Sequence, residues 1–293
     1  EPDRATGAVA PPLHLSTTFR HGADGERIAG YEYQREGNPT NDRLREALAA
    51  LEGGEDALTF ASGMAAMTTL LECLPNSARV LIPDDCYTGL RMLCAEYLPE
   101  RDIEAIAIDM SDTDAVRTAC AQGVAMLWIE TPSNPRMKIS DIVALTDIGH
   151  AAGATVVVDN TFATPLLQRP LALGADVVMH STTKYFGGHS DVLGGALVFA
   201  KKGELSTRVA HRLHITGATL APFSAWLTLR GCRSLGARIA MHCANARRVA
   251  QFLAAQPQIE FTTIMSVPDV LTAASTSAAV RNSSTPRRVS SAR

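Results

Sequence analysis

Two neighbouring stretches, G-A-T-V-V-V-D-N-T-F-A-T-P (153–165) and L-G-A-D-V-V-M-H-S-T-T-K (173–184), decide the fold. Each is a short run of β-branched and apolar residues that stops on polar groups, Asp159 in the first and Ser181 to Lys184 in the second. Runs this short and this apolar read as strands buried on both faces. The same pattern recurs outward along the chain at Ala57–Phe60, Val80–Ile82, Glu104–Ile108, Ala125–Ile129 and Gly195–Phe199. Helix-period segments lie between several of them, at Gly63–Leu74, Thr113–Ala121 and Ile139–Ala152. Strand and helix in alternation predict an α/β fold: a mostly parallel sheet with helices on both faces.

The flanks differ. Residues 1–42 hold Pro11-Pro12 and scattered glycines without a sustained period, and read as an arm that contacts a neighbouring subunit. Asn41-Asp42 is the expected N-cap of a helix carrying Leu44, Leu48 and Leu51, with Gly53-Gly54 as its stop. The main domain is expected over 43–222, and one long helix from Phe223 to about Ala255, ended by Pro257. The last residues, S-S-T-P-R-R-V-S-S-A-R, are polar and basic, and no structure is expected of them.

The 293 residues are 46% hydrophobic and 19% charged, with 27 basic and 30 acidic side chains for a net charge of -3. That balance leaves no chain-wide footprint for nucleic acid. No apolar run approaches the roughly 20 residues that span a bilayer. Nothing at the start reads as a signal peptide, although the absence of methionine at Glu1 is compatible with a trimmed leader. Cys73, Cys86, Cys94, Cys120, Cys232 and Cys243 show no C-x-x-C pairing, which favours free thiols and a cytoplasmic protein.

In open α/β sheets, ligands bind beyond the carboxyl ends of the strands. Ser62-Gly63-Met64, Asp84 to Tyr87, Thr131 to Pro135, Asp159 and Ser181 to Lys184 all fall there. Ser62-Gly63 opening a helix is either a phosphate seat or a plain N-cap. Lys184 after a buried strand is either a Schiff-base nucleophile or a lysine reaching for solvent. Asp159 ends a very apolar run and needs a cation, such as a protonated pyridine nitrogen. A lysine and an acid of that kind together suit pyridoxal phosphate. There is no G-x-x-x-x-G-K-[ST] or G-x-G-x-x-G, and His180, His189 and Asp191 match no usual zinc spacing, so no metal site is expected.

The run H-S-T-T-K-Y-F-G-G-H-S-D-V-L-G-G (180–195) resembles the cofactor-lysine signature of the pyridoxal-phosphate enzymes of Cys/Met metabolism. The likeness covers roughly residues 8 to 255, through P-P-L-H-L-S-T-T-F, Y-E-Y-Q-R-E-G-N-P-T, A-S-G-M, D-D-C-Y, E-T-P-S-N-P, V-D-N-T-F-A-T-P and L-A-L-G-A-D. The resemblance implies a fold-type-I pyridoxal-phosphate-dependent transferase. It implies that Lys184 carries the cofactor and shuttles protons, that Asp159 pairs with the pyridine nitrogen, and that Tyr87 stacks on the ring. Gly63 and Met64, through their N–H groups, and Ser181 and Thr183, through their hydroxyls, would hold the phosphate. Tyr33 and Arg35 would reach the phosphate of a neighbouring subunit in a homotetramer with shared sites, and Asn134 would lie near the cofactor or the substrate carboxylate.

D-C-Y-T-G-L-R and H-I-T-G-A-T-L-A-P are most similar to the cystathionine γ-synthase branch, which implies γ-replacement on an O-acylhomoserine by cysteine. Cystathionine γ- or β-lyase is the alternative within the family, and a cofactor binder without activity the alternative outside it. The likeness fades near Gln258, so residues 223–293 are expected to hold a truncated or altered C-terminal domain. Arg281, Arg287, Arg288 and Arg293 have no motif context that would make any of them a carboxylate clamp.

Overall fold

A computed structural model of the chain describes residue 3 and residues 6–259. Seven strands form one sheet: β1 (Asp56–Phe60), β2 (Arg79–Pro83), β3 (Glu104–Ile108), β4 (Met126–Glu130), β5 (Thr155–Asp159), β6 (Val177–His180) and β7 (Gly195–Phe199). Their order is β1-β7-β6-β5-β4-β2-β3. Every strand named from the sequence is present, with ends within one residue of those expected. β7 alone runs against its neighbours β6 and β1. The carboxyl ends of β1, β2, β4, β5 and β6 therefore lie along one edge, and the start of β7 joins them there.

The strands alternate their side chains between two packed layers. One face packs Trp128, Val157, Val177, Met179 and Leu197 against α2 (Gly63–Leu71) and α7 (Glu204–Thr216). The other sets Leu127, Ile129, Val156 and Val158 against α4 (Thr113–Cys120) and α5 (Ile142–Ala151). On that same face Val178, Ala196 and Val198 meet α1 (Pro39–Glu52), α8 (Pro222–Cys232) and α9 (Leu235–Ala254). Two short ones, α3 (Thr88–Met92) and α6 (Thr164–Leu167), complete the α-helices among the described residues. No helix there is long and apolar enough to cross a membrane.

Helix α2 stops at Leu71, short of the expected Leu74, and three further departures from the sequence expectation each have a visible reason. α1 starts at Pro39 rather than after Asn41-Asp42, because the Asn38 side chain accepts from the Thr40 N–H at 2.9 Å. Proline suits the first helical position, where an N–H would have no partner. Asn41 instead sits inside the helix and donates to the Leu220 carbonyl at 2.8 Å. α5 starts at Ile142 rather than Ile139, because Asp141 caps it through the Ala144 N–H.

The helix expected from Phe223 to Ala255 is two helices, parted at Arg233–Ser234. Gly231, near the end of α8, lies so close to the 184–188 turn that a Cβ there would come within 2.2 Å of the Phe186 carbonyl oxygen. Arg238 of α9 locks the corner by donating to the carbonyls of Tyr185 at 2.7 Å and Gly231 at 2.8 Å. Both helices keep the same apolar period and no proline separates them, so periodicity alone joins them.

The arm carries only isolated bridges before α1, Thr18 with Tyr33 and His21 with Arg27, among the described residues. Part of it is tied to this chain's own α8 region, where Trp226 donates to the Pro11 carbonyl and Arg233 to that of Val9. The polar tail, with Arg281, Arg287, Arg288 and Arg293, lies outside the described residues.

Candidate active site

A cavity of about 360 Å³ opens at the edge where the strand ends meet. Its wall on the β1 side is the amino end of α2. Ser62, in extended backbone, caps the helix by accepting from the Ala65 N–H at 3.0 Å. The N–H groups of Gly63 and Met64 at the first two helical positions have no intrahelical acceptor and carry the positive end of the helix dipole. Gly63 is tightly enclosed: a Cβ there would stand 3.1 Å from Ser181 Cβ and 3.2 Å from both Ser181 Oγ and Met179 Cε. Gly195, the first residue of β7, presses on the same turn, and its Cβ would fall 2.2 Å from the Ser62 carbonyl oxygen.

The loop after β6 brings Ser181, Thr183 and Lys184 into the cavity wall. The Ser181 N–H donates to Thr161 Oγ1 at 2.9 Å, while its own hydroxyl has no partner among the described residues. The Thr183 hydroxyl is engaged, donating to the Gly194 carbonyl at 3.2 Å and accepting from the Gly194 N–H at 3.0 Å. Lys184 is exposed at the mouth, and its ammonium has no hydrogen-bond partner among the described residues.

Asp159, the last residue of β5, forms part of the floor. It is buried, accepts from the Thr161 N–H at 3.0 Å, and forms no ion pair among the described residues. Burial pushes its carboxyl up from the ordinary value, against the downward pull of the Thr161 hydrogen bonds and, less strongly, of the nearby His180. Behind it, His180 and Glu52 form a fully buried pair at 2.6 Å, and Glu52 also accepts from Asn160 at 2.8 Å.

Glu130, which the sequence reading left out, stands beside Asp159 in register at the end of β4 and lines the same cavity. Burial first, and then repulsion by Asp159, push its carboxyl up to about 8, although hydrogen bonds from the Tyr87 and Asn134 backbones pull the other way. The signal was present: M-L-W-I-E ends on an acid just as T-V-V-V-D does, and the same reasoning applies to both.

Tyr87 and Asn134 line the cavity from the loops after β2 and β4. Tyr87 is 41% exposed. Gly89 leaves it room, since a Cβ there would lie 2.4 Å from Tyr87 Cε1 and 2.7 Å from Met64 Sδ. The loop bearing Asn134 is anchored by buried Asp85, which accepts from the Ser133 hydroxyl and from the Arg136 N–H at 3.0 Å. Phe162, Met67 and Leu193 add apolar wall that the sequence reading did not single out.

Tyr33 and Arg35 are not part of this cavity. Arg35 lies over the Tyr33 ring at 5.4 Å and donates to the His214 carbonyl at 3.1 Å, lining a separate groove beside α7. The other expected residues, Gly63, Met64, Tyr87, Asn134, Asp159, Ser181, Thr183 and Lys184, all line the one cavity. An anion-seeking helix end, a free lysine and buried acids that need a cation make it suited to a ligand with a negative and a positive end. A family model described as Cys/Met metabolism PLP-dependent enzyme matches residues 1–284. The chain belongs to that family.

This match runs past Gln258, near which the likeness was expected to fade. Among relatives in the family, a cystathionine gamma-synthase of Mycobacterium bovis is 46% identical over 259 residues, covering 88% of this chain and 66% of the relative. A cystathionine gamma-lyase of Bacillus subtilis is 40% identical, over 88% of this chain and 68% of the relative. The crystal structure of cystathionine gamma synthase from Xanthomonas oryzae pv. oryzae, in complex with aminoacrylate and cysteine, superposes with a TM-score of 0.84 at 41% identity. That comparison covers 87% of this chain and 66% of the other. The chain thus spans 66% of the length of the first of these relatives. The fold is that of the fold-type-I pyridoxal-phosphate enzymes, and the cavity fits the family's cofactor: Gly63 leaves an enclosed space at the helix end, and Asp159 is a buried acid without a cation.

Proposed function

We propose that this chain carries the cofactor site of a cystathionine γ-synthase, which replaces the acyl group of an O-acylhomoserine with cysteine. The observation that carries the reading is the convergence of Lys184, Asp159, Tyr87 and the amino end of α2 on one cavity. The 46% identity to an enzyme of that name supports the choice within the family.

When bound, pyridoxal phosphate supplies an electron sink conjugated to the substrate α-carbon. The N–H groups of Gly63 and Met64 and the Ser181 hydroxyl would hold its phosphate. The Thr183 hydroxyl would join them by turning its proton away from the Gly194 carbonyl. Asp159 would hold the proton on the pyridine nitrogen, which gives its buried charge a partner. Lys184 Nζ would hold the cofactor covalently and, once released, move protons at the α- and β-carbons of the substrate. The Tyr87 ring would cover the cofactor face, and its hydroxyl would serve as acid or base. Asn134 would orient the cofactor or the substrate carboxylate. In the net change the acyl group leaves Cγ as a carboxylate, a C–S bond forms there, and the thiol proton is released.

Tyr33 and Arg35 would complete the phosphate site of a neighbouring copy in a homotetramer. In support, both lie outside this chain's own cavity, and Tyr33 is 42% exposed. A guanidinium suits a phosphate better than an ammonium because it donates in a planar fork. The cysteines are all free thiols, which supports a cytoplasmic setting.

Cystathionine lyase is the second reading, favoured by relatives named gamma-lyase and beta-lyase at 40% identity. The test starts with an absorbance scan of the purified chain with added pyridoxal phosphate. Borohydride reduction should then fix the label on the peptide containing Lys184, and a label on another lysine overturns the site. Cystathionine formed from O-acylhomoserine and cysteine supports the synthase. Breakdown of cystathionine alone supports the lyase, and cofactor bound without turnover of either supports an inactive binder.

A further inference from the structure

Glu130 joins two walls of the cavity. Its Oε2 accepts from the Tyr87 N–H at 2.9 Å, 43 residues away in sequence, and the Asn134 N–H faces the same carboxylate. The two amides come from different loops, one after β2 and one after β4. The side chain itself rises from the last position of β4, in register with Asp159. We infer that Glu130 is a positioning residue of the active site, whose carboxylate ties the Tyr87 and Asn134 backbones together and so sets where the phenol ring and the side-chain amide stand over the cavity. The role deepens the reading that the cavity takes pyridoxal phosphate and rests on it.

A carboxylate is the right group for this task. It offers two oxygens and about four lone pairs, all accepting, whereas a carboxamide offers one accepting oxygen and turns an NH₂ toward the remaining N–H. Hydrogen bonds from neutral donors to an ionised acceptor are roughly twice as strong as neutral ones. The arrangement also has a cost, because the charged groups that face Glu130 are Asp159 from β5 and Asp85 from the loop after β2, both acids. Lys184 lines the cavity from the loop after β6. Burial first, and then these two acids, keep the proton on the carboxyl well above the usual carboxylate range, and the tie between the two loops tightens as that proton leaves.

Backbone hydrogen exchange on the full chain reads the tie directly and without cofactor. Above about pH 8, where the Glu130 carboxyl is ionised, the Tyr87 and Asn134 amides of Glu130→Gln should exchange roughly tenfold faster or more than those of the wild type, the scale set by losing one hydrogen bond to a charged group. Amides of Leu127 to Ile129 in the central ladder should keep their protection, which shows that the sheet is intact. In the wild-type chain, exchange at the two amides, corrected for the intrinsic effect of pH, should slow in a step near pH 8, and the step should vanish in the variant. The wild-type step needs no variant to fold, so it decides the matter alone if Glu130→Gln does not. Equal exchange in the two proteins, or no step in the wild type, overturns the tie.

A second arm reads the ligand. Pyridoxal phosphate should bind Glu130→Gln about tenfold more weakly than wild type, the same single-bond scale. Its visible circular dichroism should change as the ring against it is released. Faster exchange with wild-type affinity and wild-type dichroism overturns the role in positioning. Failure of the wild-type chain to bind cofactor at all refutes the proposed function instead, and the exchange arm still decides the tie.

Discussion

Replacing Gly195 with alanine tests how the proposed phosphate seat is built. The glycine opens β7 at the one place where an antiparallel strand starts among the ends of parallel ones. A Cβ there would lie 2.2 Å from the Ser62 carbonyl oxygen, 2.6 Å from its carbon and 2.8 Å from the Gly63 nitrogen. Carbon contacts are comfortable at roughly 3.5 Å, so the strand and the turn must separate by on the order of 1 Å. All three obstructing atoms are backbone, and no side-chain rotation relieves them. Overpacking of this kind costs about 1–3 kcal/mol. The displaced atoms are also those that aim the Gly63 and Met64 N–H groups. Losing one charge-assisted hydrogen bond to the phosphate costs a further 1.5–3 kcal/mol or so, roughly ten- to a hundredfold in affinity. Urea denaturation without cofactor and a titration with pyridoxal phosphate measure the two effects separately. Gly236→Ala, in open space within α9, is the control and should gain about 0.5–1 kcal/mol. Wild-type stability together with wild-type cofactor affinity in Gly195→Ala would refute the reasoning.

Asp159→Ala should slow exchange of a substrate Cα proton by about a hundredfold or more if Asp159 has the proposed role of partner to the pyridine nitrogen; exchange at the wild-type rate would sink that role. Stability without cofactor should fall as pH rises from about 5 to about 8, because Glu130, raised from 4.5 to about 8, holds a proton when folded that the unfolded chain releases. Asp159 shifts in the same direction, and Glu130→Gln should flatten the slope in urea midpoints; midpoints that rise toward pH 8 would contradict the sign. Gly89→Ala, with no space for its Cβ beside the Tyr87 ring, should displace the phenol and weaken cofactor binding several-fold, on the scale of a forced side-chain shift. Unchanged cofactor affinity would show that the ring does not bear on the ligand.

The strands and most of the cavity were legible in the sequence because both depend on short-range patterns. A buried parallel strand must be apolar throughout, and a polar residue is tolerated at its end, so strand ends and candidate ligands announce themselves together. Glu130 obeys that rule too, but it is masked by the more conspicuous polar run T-P-S-N-P that follows it. The corner at Arg233–Ser234 was not legible, because what makes it is the approach of Gly231 to Phe186 and the reach of Arg238 to Tyr185, contacts far apart in sequence. The Asn38 cap was misread for a local reason. Asn38 and Asn41 are both good caps by composition, and only the packing of Asn41 on Leu220 assigns one to the helix end.

The electrostatic layout explains why these side chains belong together. At one end of the cavity two N–H groups at the start of α2 face outward with the positive end of the helix dipole. Elsewhere in its wall Asp159 and Glu130 stand side by side, both buried, and burial drives both toward the protonated form. Either feature alone is costly to maintain, and neither helps the chain to fold. A ligand with a phosphate at one end and a protonated ring nitrogen at the other satisfies both at once and stabilises the folded chain by mass action. Its binding should therefore favour ionisation of Asp159, and through Asp159 it should favour the protonated state of Glu130, whose repulsion from a fully charged neighbour increases. The ring nitrogen offsets that repulsion with its own positive charge. How far Glu130 titrates with the cofactor in place thus reports how close the pyridinium charge comes to the pair of acids.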